Sequence, residues 1–146
     1  MTALGHLING ARVDRQERSQ DLYNPSTGEV KGRVSLASKA TVEEAIAAAQ
    51  AAFPAWRDTP PAKRARVMFR FKQLLEERAD EIVRLVGEEH GKIVHDGQGE
   101  LARGIENVEY ACGAPELLKG EHSKNTGPGI DSWSEFQPLG GVAGIT

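Results

Sequence analysis

The 146-residue sequence contains a single cysteine, Cys112. One thiol excludes an intramolecular disulfide and any thiolate-rich metal site. Long apolar runs are missing too. No stretch approaches the roughly 20 residues that a membrane helix needs, and Met1 to Gly10 lacks the basic start and apolar run of a signal peptide. Cationic clusters are also absent: 18 Lys and Arg stand against 21 Asp and Glu, a net charge of −3, with no polybasic run. Nucleic-acid binding relies on clustered cations that release counterions, so neither nucleic acid nor membrane is an expected partner. At 39% hydrophobic and 27% charged, the chain reads as globular rather than disordered. A cytoplasmic location is the expectation. The length suits one domain, or a piece of a larger one.

What is present divides by periodicity. The first 40 residues read as strands and turns. Asn9-Gly10 between His6-Leu7-Ile8 and Arg12-Val13 predicts a tight hairpin, because both residues tolerate positive φ. Asn24-Pro25-Ser26-Thr27-Gly28 predicts a second turn. Val30, Gly32, Val34 and Leu36 share parity, which predicts a half-buried strand in a small antiparallel edge sheet.

Helical spacing takes over at Thr41. Thr41-Val42-Glu43-Glu44 has the form of a capping box. The helix it opens carries a mostly alanine face (Ala45, Ile46, Ala48, Ala49, Ala52, Phe53) and is expected to end or kink at Pro54. Pro60-Pro61 opens a second helix with Val67, Phe71, Leu74 and Leu75 at helical spacing. A third runs through Ile82, Val83, Leu85 and Val86 and closes at His90-Gly91. A fourth starts near Asp96 to Glu100 and ends by Pro115 and Gly120. Its Leu101, Ile105, Val108 and Cys112 form one buried stripe, and Arg103, Glu106 and Tyr110 lie on a different face. Glu121 to Gly129 reads as a polar loop and Ile130 to Gln137 as a strand with apolar bulk on both faces. Val142 to Thr146 starts like a buried parallel strand. The expected class is α+β: N-terminal strands, four helices, then a C-terminal strand segment. A domain seldom stops inside an apolar strand, so the chain reads as part of a longer one.

Few residues carry chemistry. Cys112 sits on the apolar stripe, where a cysteine behaves as a small hydrophobe rather than a nucleophile. His6, His90, His95 and His122 show no metal-ligand spacing. Gly97-Gln98-Gly99 and Gly140-Gly141-Val142-Ala143-Gly144 match no phosphate-binding fingerprint. Arg103 is the one candidate. Flanked by Ala102 and Gly104, it has little crowding and can reach across a groove to hold a carboxylate bidentately. The alternative is an ordinary pairing with Glu100, Glu106 or Asn107 on its own helix.

A resemblance adds to this. Tyr23-Asn24-Pro25-Ser26-Thr27-Gly28-Glu29-Val30, the Val42 to Trp56 segment ending Ala-Phe-Pro-Ala-Trp, Arg64 to Gly91, Glu89-His90-Gly91-Lys92 and the final Pro138 to Thr146 together resemble the N-terminal portion of the aldehyde dehydrogenase family. Gly99 to Ala111 resembles its CoA-acylating methylmalonate-semialdehyde dehydrogenase branch more narrowly. The resemblance implies an α/β parent fold and a parent enzyme that oxidises methylmalonate or malonate semialdehyde with NAD and CoA. The products would be propanoyl-CoA or acetyl-CoA and CO2. It implies a dimeric or tetrameric homo-oligomer and places Arg103 where that branch holds the substrate carboxylate. It divides the chain into 1–121, the strand and helical part of the NAD-binding domain; 122–140, the start of the oligomerisation strands; and 141–146, the first residues of the dinucleotide-domain core strand. The family's catalytic cysteine, oxyanion-hole asparagine and glycine-rich dinucleotide turn match no position here. This chain alone is therefore expected to be inactive and to bind neither cofactor well. Two alternatives stand beside this reading: another NAD(P)-dependent aldehyde dehydrogenase branch, and a non-catalytic module that pairs with intact subunits.

Overall fold

The computed structural model describes residues 2–15 and 18–145. Strands β1 (Thr2–Leu4), β4 (Arg18–Tyr23) and β5 (Val30–Leu36) form one sheet in the order β1-β5-β4. β4 runs antiparallel to β5, with Leu22 opposite Gly32 and a register shift before Tyr23. β1 lies parallel to β5, with Leu4 opposite Val34, so the expected antiparallel sheet is in fact mixed. Between β1 and β4 the chain makes a separate hairpin of β2 (His6–Ile8) and β3 (Ala11–Val13). Its turn residues Asn9 and Gly10 take φ of 51° and 74°, as the dipeptide predicts. At the Asn24–Gly28 turn the Asn24 Oδ1 accepts from the Ser26 amide at 2.9 Å, and the Gly28 amide donates to the Asn24 carbonyl at 2.8 Å.

Helix α1 (Lys39–Asp58) starts earlier than the capping box suggests. Ser38 is the N-cap and its Oγ accepts from the Thr41 amide at 3.3 Å, while Thr41 itself is buried. Glu44 does not reach back to a cap; it pairs with Arg15 at 2.6 Å. Pro54 does not end the helix, which continues to Asp58. The cost is one missing donor to the Gln50 carbonyl. α1 meets the rest of the chain at β2, where Ile8 is buried. Its alanine face is otherwise mostly exposed.

Four further helices build one layer. α2 (Pro61–Glu77) begins with Pro61 in its first turn, where a missing amide hydrogen costs nothing. α3 (Ala79–His90) closes on Gly91, whose φ of 82° admits a left-handed cap. α4 (Val94–Cys112) begins two residues before the expected Asp96 and packs on both α2 and α3. It ends at Cys112 rather than Pro115. Pro115 belongs to α5 (Ala114–Leu117), a single extra turn against α2, so the described residues hold five helices, not four.

Two apolar readings change. Leu74 and Leu75 of α2 are half-buried, but Val67 and Phe71 stand 53% and 46% exposed. α2 turns the side bearing the buried Ala65 to its neighbours, and its second apolar side has no cover among the described residues. Residues expected to loop instead form β6 (His122–Gly127), which pairs antiparallel with β7 (Ile130–Trp133). β6 is polar on both faces, so no alternation announced it. Pairing stops at Trp133, short of Gln137. Beyond it the Ser134 amide bonds the Glu121 carbonyl at 2.9 Å, and a Cβ at Gly120 would overlap the Ser134 backbone. Residues 142–145 form no strand and lie exposed, because no strand runs beside them among the described residues. Thr146, the last residue of that expected strand, lies outside the described residues.

Candidate functional site

α4 positions the candidate arginine. Leu101, Ile105 and Val108 are half-buried and Cys112 is buried, so the stripe read from the spacing is the packed side. Gly97 sits at the crossing with α3, where a Cβ would stand 3.3 Å from Cγ1 of Val83. That close approach locks the helix in place. The opposite side, bearing Arg103, Glu106 and Tyr110, faces outward, with Tyr110 71% exposed.

The Arg103 side chain is 80% exposed, and its Nη1 donates to Oε2 of Glu106 at 2.6 Å. Among the described residues its Nε and Nη2 have no partner. One edge of a planar five-donor guanidinium thus remains open, which is the geometry needed to grip a second carboxylate through two parallel bonds. Asn107 touches only the Arg103 backbone, its Nδ2 donating to the carbonyl at 2.9 Å. Glu100, the third expected partner, is engaged elsewhere. Lys92 Nζ bonds its carboxylate across the α3–α4 connection. That hydrogen bond holds the Glu100 carboxyl below its ordinary range, assisted by the charges of Lys92 and His90. Sequence reasoning missed this pair because its eight-residue separation spans a helix break and matches no helical spacing. A second missed tie is Lys72, which bridges Glu76 at 2.6 Å and Glu109 of α4 at 3.2 Å. Those bonds, from Glu76 first, raise the Lys72 ammonium above its usual range.

Cys112 faces the interior, buried with the stripe. Among the described residues no group of three His, Cys, Asp or Glu side chains is placed to hold a metal ion, and no helix is long and apolar enough to cross a membrane. A cleft of ≈ 520 Å³ opens between the Asn24 turn, α3 and α4, lined in part by Ser26, Arg84, Gly87, Lys92 and Gln98. Arg103 is not part of it. A dinucleotide would need a glycine-rich turn between a strand and a helix. Gly97 and Gly99 lie inside α4, so that glycine pair forms no such turn.

The description of the aldehyde dehydrogenase family matches residues 12–146. The chain belongs to the aldehyde dehydrogenase family. Within this family of oxidoreductases it is 63% identical to the malonate-semialdehyde dehydrogenase of Pseudomonas aeruginosa, over 100% of this chain and 29% of that protein. It is 50% identical to malonate-semialdehyde dehydrogenase 1 of Geobacillus kaustophilus, over 99% of this chain and 30% of that one. Among solved aldehyde dehydrogenase folds, the methylmalonate-semialdehyde dehydrogenase of Oceanimonas doudoroffii superposes with a TM-score of 0.92 at 73% identity, over 95% of this chain and 28% of that one. A protein of Sinorhizobium meliloti assigned the same activity, solved in complex with NAD, gives 0.91 at 44% identity over 96% and 29%. The chain therefore spans about three-tenths of the length of the relatives it matches.

Proposed function

We propose that the whole protein oxidises malonate or methylmalonate semialdehyde with NAD, and passes the acyl group to CoA with loss of CO2 to give acetyl-CoA or propanoyl-CoA. The observation that carries the reading is Arg103: an outward-facing guanidinium with one edge free, on the helix whose sequence resembles that enzyme branch. Both substrates are aldehydes with a carboxylate at the far end. A fixed guanidinium at that end orients the aldehyde and sets it apart from uncharged competitors. The names of the relatives and the NAD in one neighbour support the same reading.

In this proposal residues 1–121 supply the strand and helical part of the NAD-binding domain. Residues 122–140 start the strands of a homo-oligomeric interface, and residues 141–146 begin the dinucleotide-domain core strand. The nucleophile, the nicotinamide site and the CoA site belong to the whole protein, in the cytoplasm, and no step of the redox chemistry runs through the residues described here. The test is a substrate panel with the whole enzyme. NADH formation should depend on CoA and favour malonate and methylmalonate semialdehyde over propanal. Equal rates without CoA, or no preference for the carboxylated substrates, would assign the protein to another branch of the family.

A further inference from the structure

We infer that Lys92 is a positioning residue: by holding the Glu100 carboxylate it keeps Arg103 from pairing there, and so reserves one edge of the guanidinium for the carboxylate of the substrate. The inference rests on the reading of Arg103 given above. Within one helical turn of Arg103 lie two carboxylates, Glu100 three residues before it and Glu106 three residues after. Helix geometry favours Glu100. Helical side chains lean toward the N-terminus, and an acid placed N-terminal to its cation is the better order. The arginine nevertheless pairs with Glu106, at 2.6 Å. The reason lies in the α3–α4 connection, where the half-buried Lys92 places its Nζ on Oε1 of Glu100.

Released from Lys92, Glu100 would compete for the same guanidinium. Glu106 would keep Nη1 and Glu100 would take Nε and Nη2, so no two-donor edge would remain for a third carboxylate. The free charge of Glu100 would also repel an anionic substrate, which a bridge to an ammonium prevents. An uncharged aldehyde meets neither obstacle. The contact itself is local to α4 and the three residues before it. Gly97 against Val83 fixes the crossing of α3 and α4 on which it is built. Lys92 thus acts on the substrate only through Glu100 and Arg103.

The experiment uses the whole enzyme with Lys92→Met, Lys92→Arg, Glu100→Gln, the double variant Lys92→Met/Glu100→Gln and Arg103→Ala, each assayed with malonate semialdehyde, methylmalonate semialdehyde and propanal. Lys92→Met should raise KM for both carboxylated substrates about three- to fivefold, the scale of an exposed ion pair, with kcat and the propanal kinetics unchanged. Lys92→Arg keeps a cation on Glu100 and should hold KM at the parental value. Adding Glu100→Gln to Lys92→Met removes the competing charge and should restore KM, although it does not restore the bridge. That rescue is the result that a merely structural lysine would not give. Lys92→Gln replaces the methionine variant if the latter does not fold. An unchanged KM in Lys92→Met, equal losses on all three substrates, or a double variant no better than the single overturns the inference. If Arg103→Ala is selective for carboxylated substrates while Lys92→Met is not, the positioning role alone falls. If Arg103→Ala spares those substrates, the reading of Arg103 falls with it.

Discussion

Lys31 Nζ lies 2.7 Å from the carbonyl oxygen of Glu88 and 2.9 Å from a carboxylate oxygen of Glu89. One ammonium on β5 thus caps a carbonyl in the last turn of α3 and neutralises the acid beside it. Final-turn carbonyls lack intrahelical donors, and the negative end of the helix dipole favours a cation there. The Lys31 side chain is 27% exposed, so the pair is screened less than an open surface bridge. It joins the N-terminal sheet to the helical layer.

Replacing Lys31 by Met should therefore loosen the sheet from α3. A hydrogen bond to a charged group is worth about 1.5–3 kcal/mol and an exposed ion pair about 0–1, so we expect a loss of about 1–2 kcal/mol. Lys31→Arg should recover part of it. Urea melts of the two variants against wild type measure both values. An unchanged midpoint for Lys31→Met would show that the bridge contributes nothing net.

Arg103→Ala in the whole enzyme should raise KM for a carboxylated semialdehyde about ten- to a hundredfold, the equivalent of a lost charge-assisted bond of about 1.5–3 kcal/mol. Propanal should be nearly unaffected, because it offers no carboxylate. Equal losses on both substrates in steady-state kinetics would make Arg103 a structural residue paired with Glu106.

The Lys92–Glu100 bridge sets a pH dependence with a definite sign. Its hydrogen bond holds Glu100 below the usual 4.5 in the folded state. A depressed carboxyl contributes stability that is present above its unfolded pKa and is lost as pH falls through the folded value. Glu100→Gln should then melt below wild type at pH 7, and the gap should close on acidification below about pH 4. Thermal melts at pH 7, 5 and 3 follow the gap; one that widened toward acid would reverse the sign and rule out the bridge as its cause.

Cys112→Ser should leave turnover of the whole enzyme within a few-fold, and the 146-residue chain alone should show no aldehyde oxidation. Nucleophilic catalysis needs a thiolate beside the substrate, and this thiol is buried on the helix-packing side. Complete loss of turnover in a folded Cys112→Ser enzyme would sink that placement.

The legible parts of this fold are those where local chemistry and tertiary demand agree. Asn9-Gly10, Pro61 and Gly91 each allow few backbone options, and each sits where its chemistry placed it. The α4 stripe was legible because four apolar residues at steps of four, three and four leave one way to pack. Boundaries set by a neighbour were not. Ser38 displaced Thr41 as the cap because the chain is still extended at Ser38, which leaves Thr41 buried inside the first turn of α1. β6 escaped notice because strand pairing, not side-chain burial, holds it. Val67 and Phe71 share helical spacing with Leu74 and Leu75 yet stand exposed, because apolar spacing marks a face that wants cover and does not name what supplies it. At the site, the outward arginine was visible in the sequence. Its partner among three nearby candidates was not, since that choice depends on Lys92 having claimed Glu100 first.

The β6–β7 hairpin should govern the behaviour of the chain in solution. Its residues are nearly all exposed, with Ile130 at 58% and Trp133 at 71%, and Phe136 just beyond it at 62%. No third strand lies beside either edge among the described residues. A two-stranded hairpin without cover is marginal in water, and unpaired edges next to exposed aromatics invite association. We expect the chain to self-associate at micromolar concentration, and deletion of residues 123–146 to reduce that association. Light scattering of the two forms makes the comparison, with Trp133 fluorescence reporting its environment in the longer one. Red-shifted emission in dilute solution that moves to the blue as scattering rises would tie burial of Trp133 to assembly. A monodisperse monomer with Trp133 already buried would mean that the hairpin has folded back onto its own chain, and would favour a self-contained interaction module over a segment awaiting its partner strands.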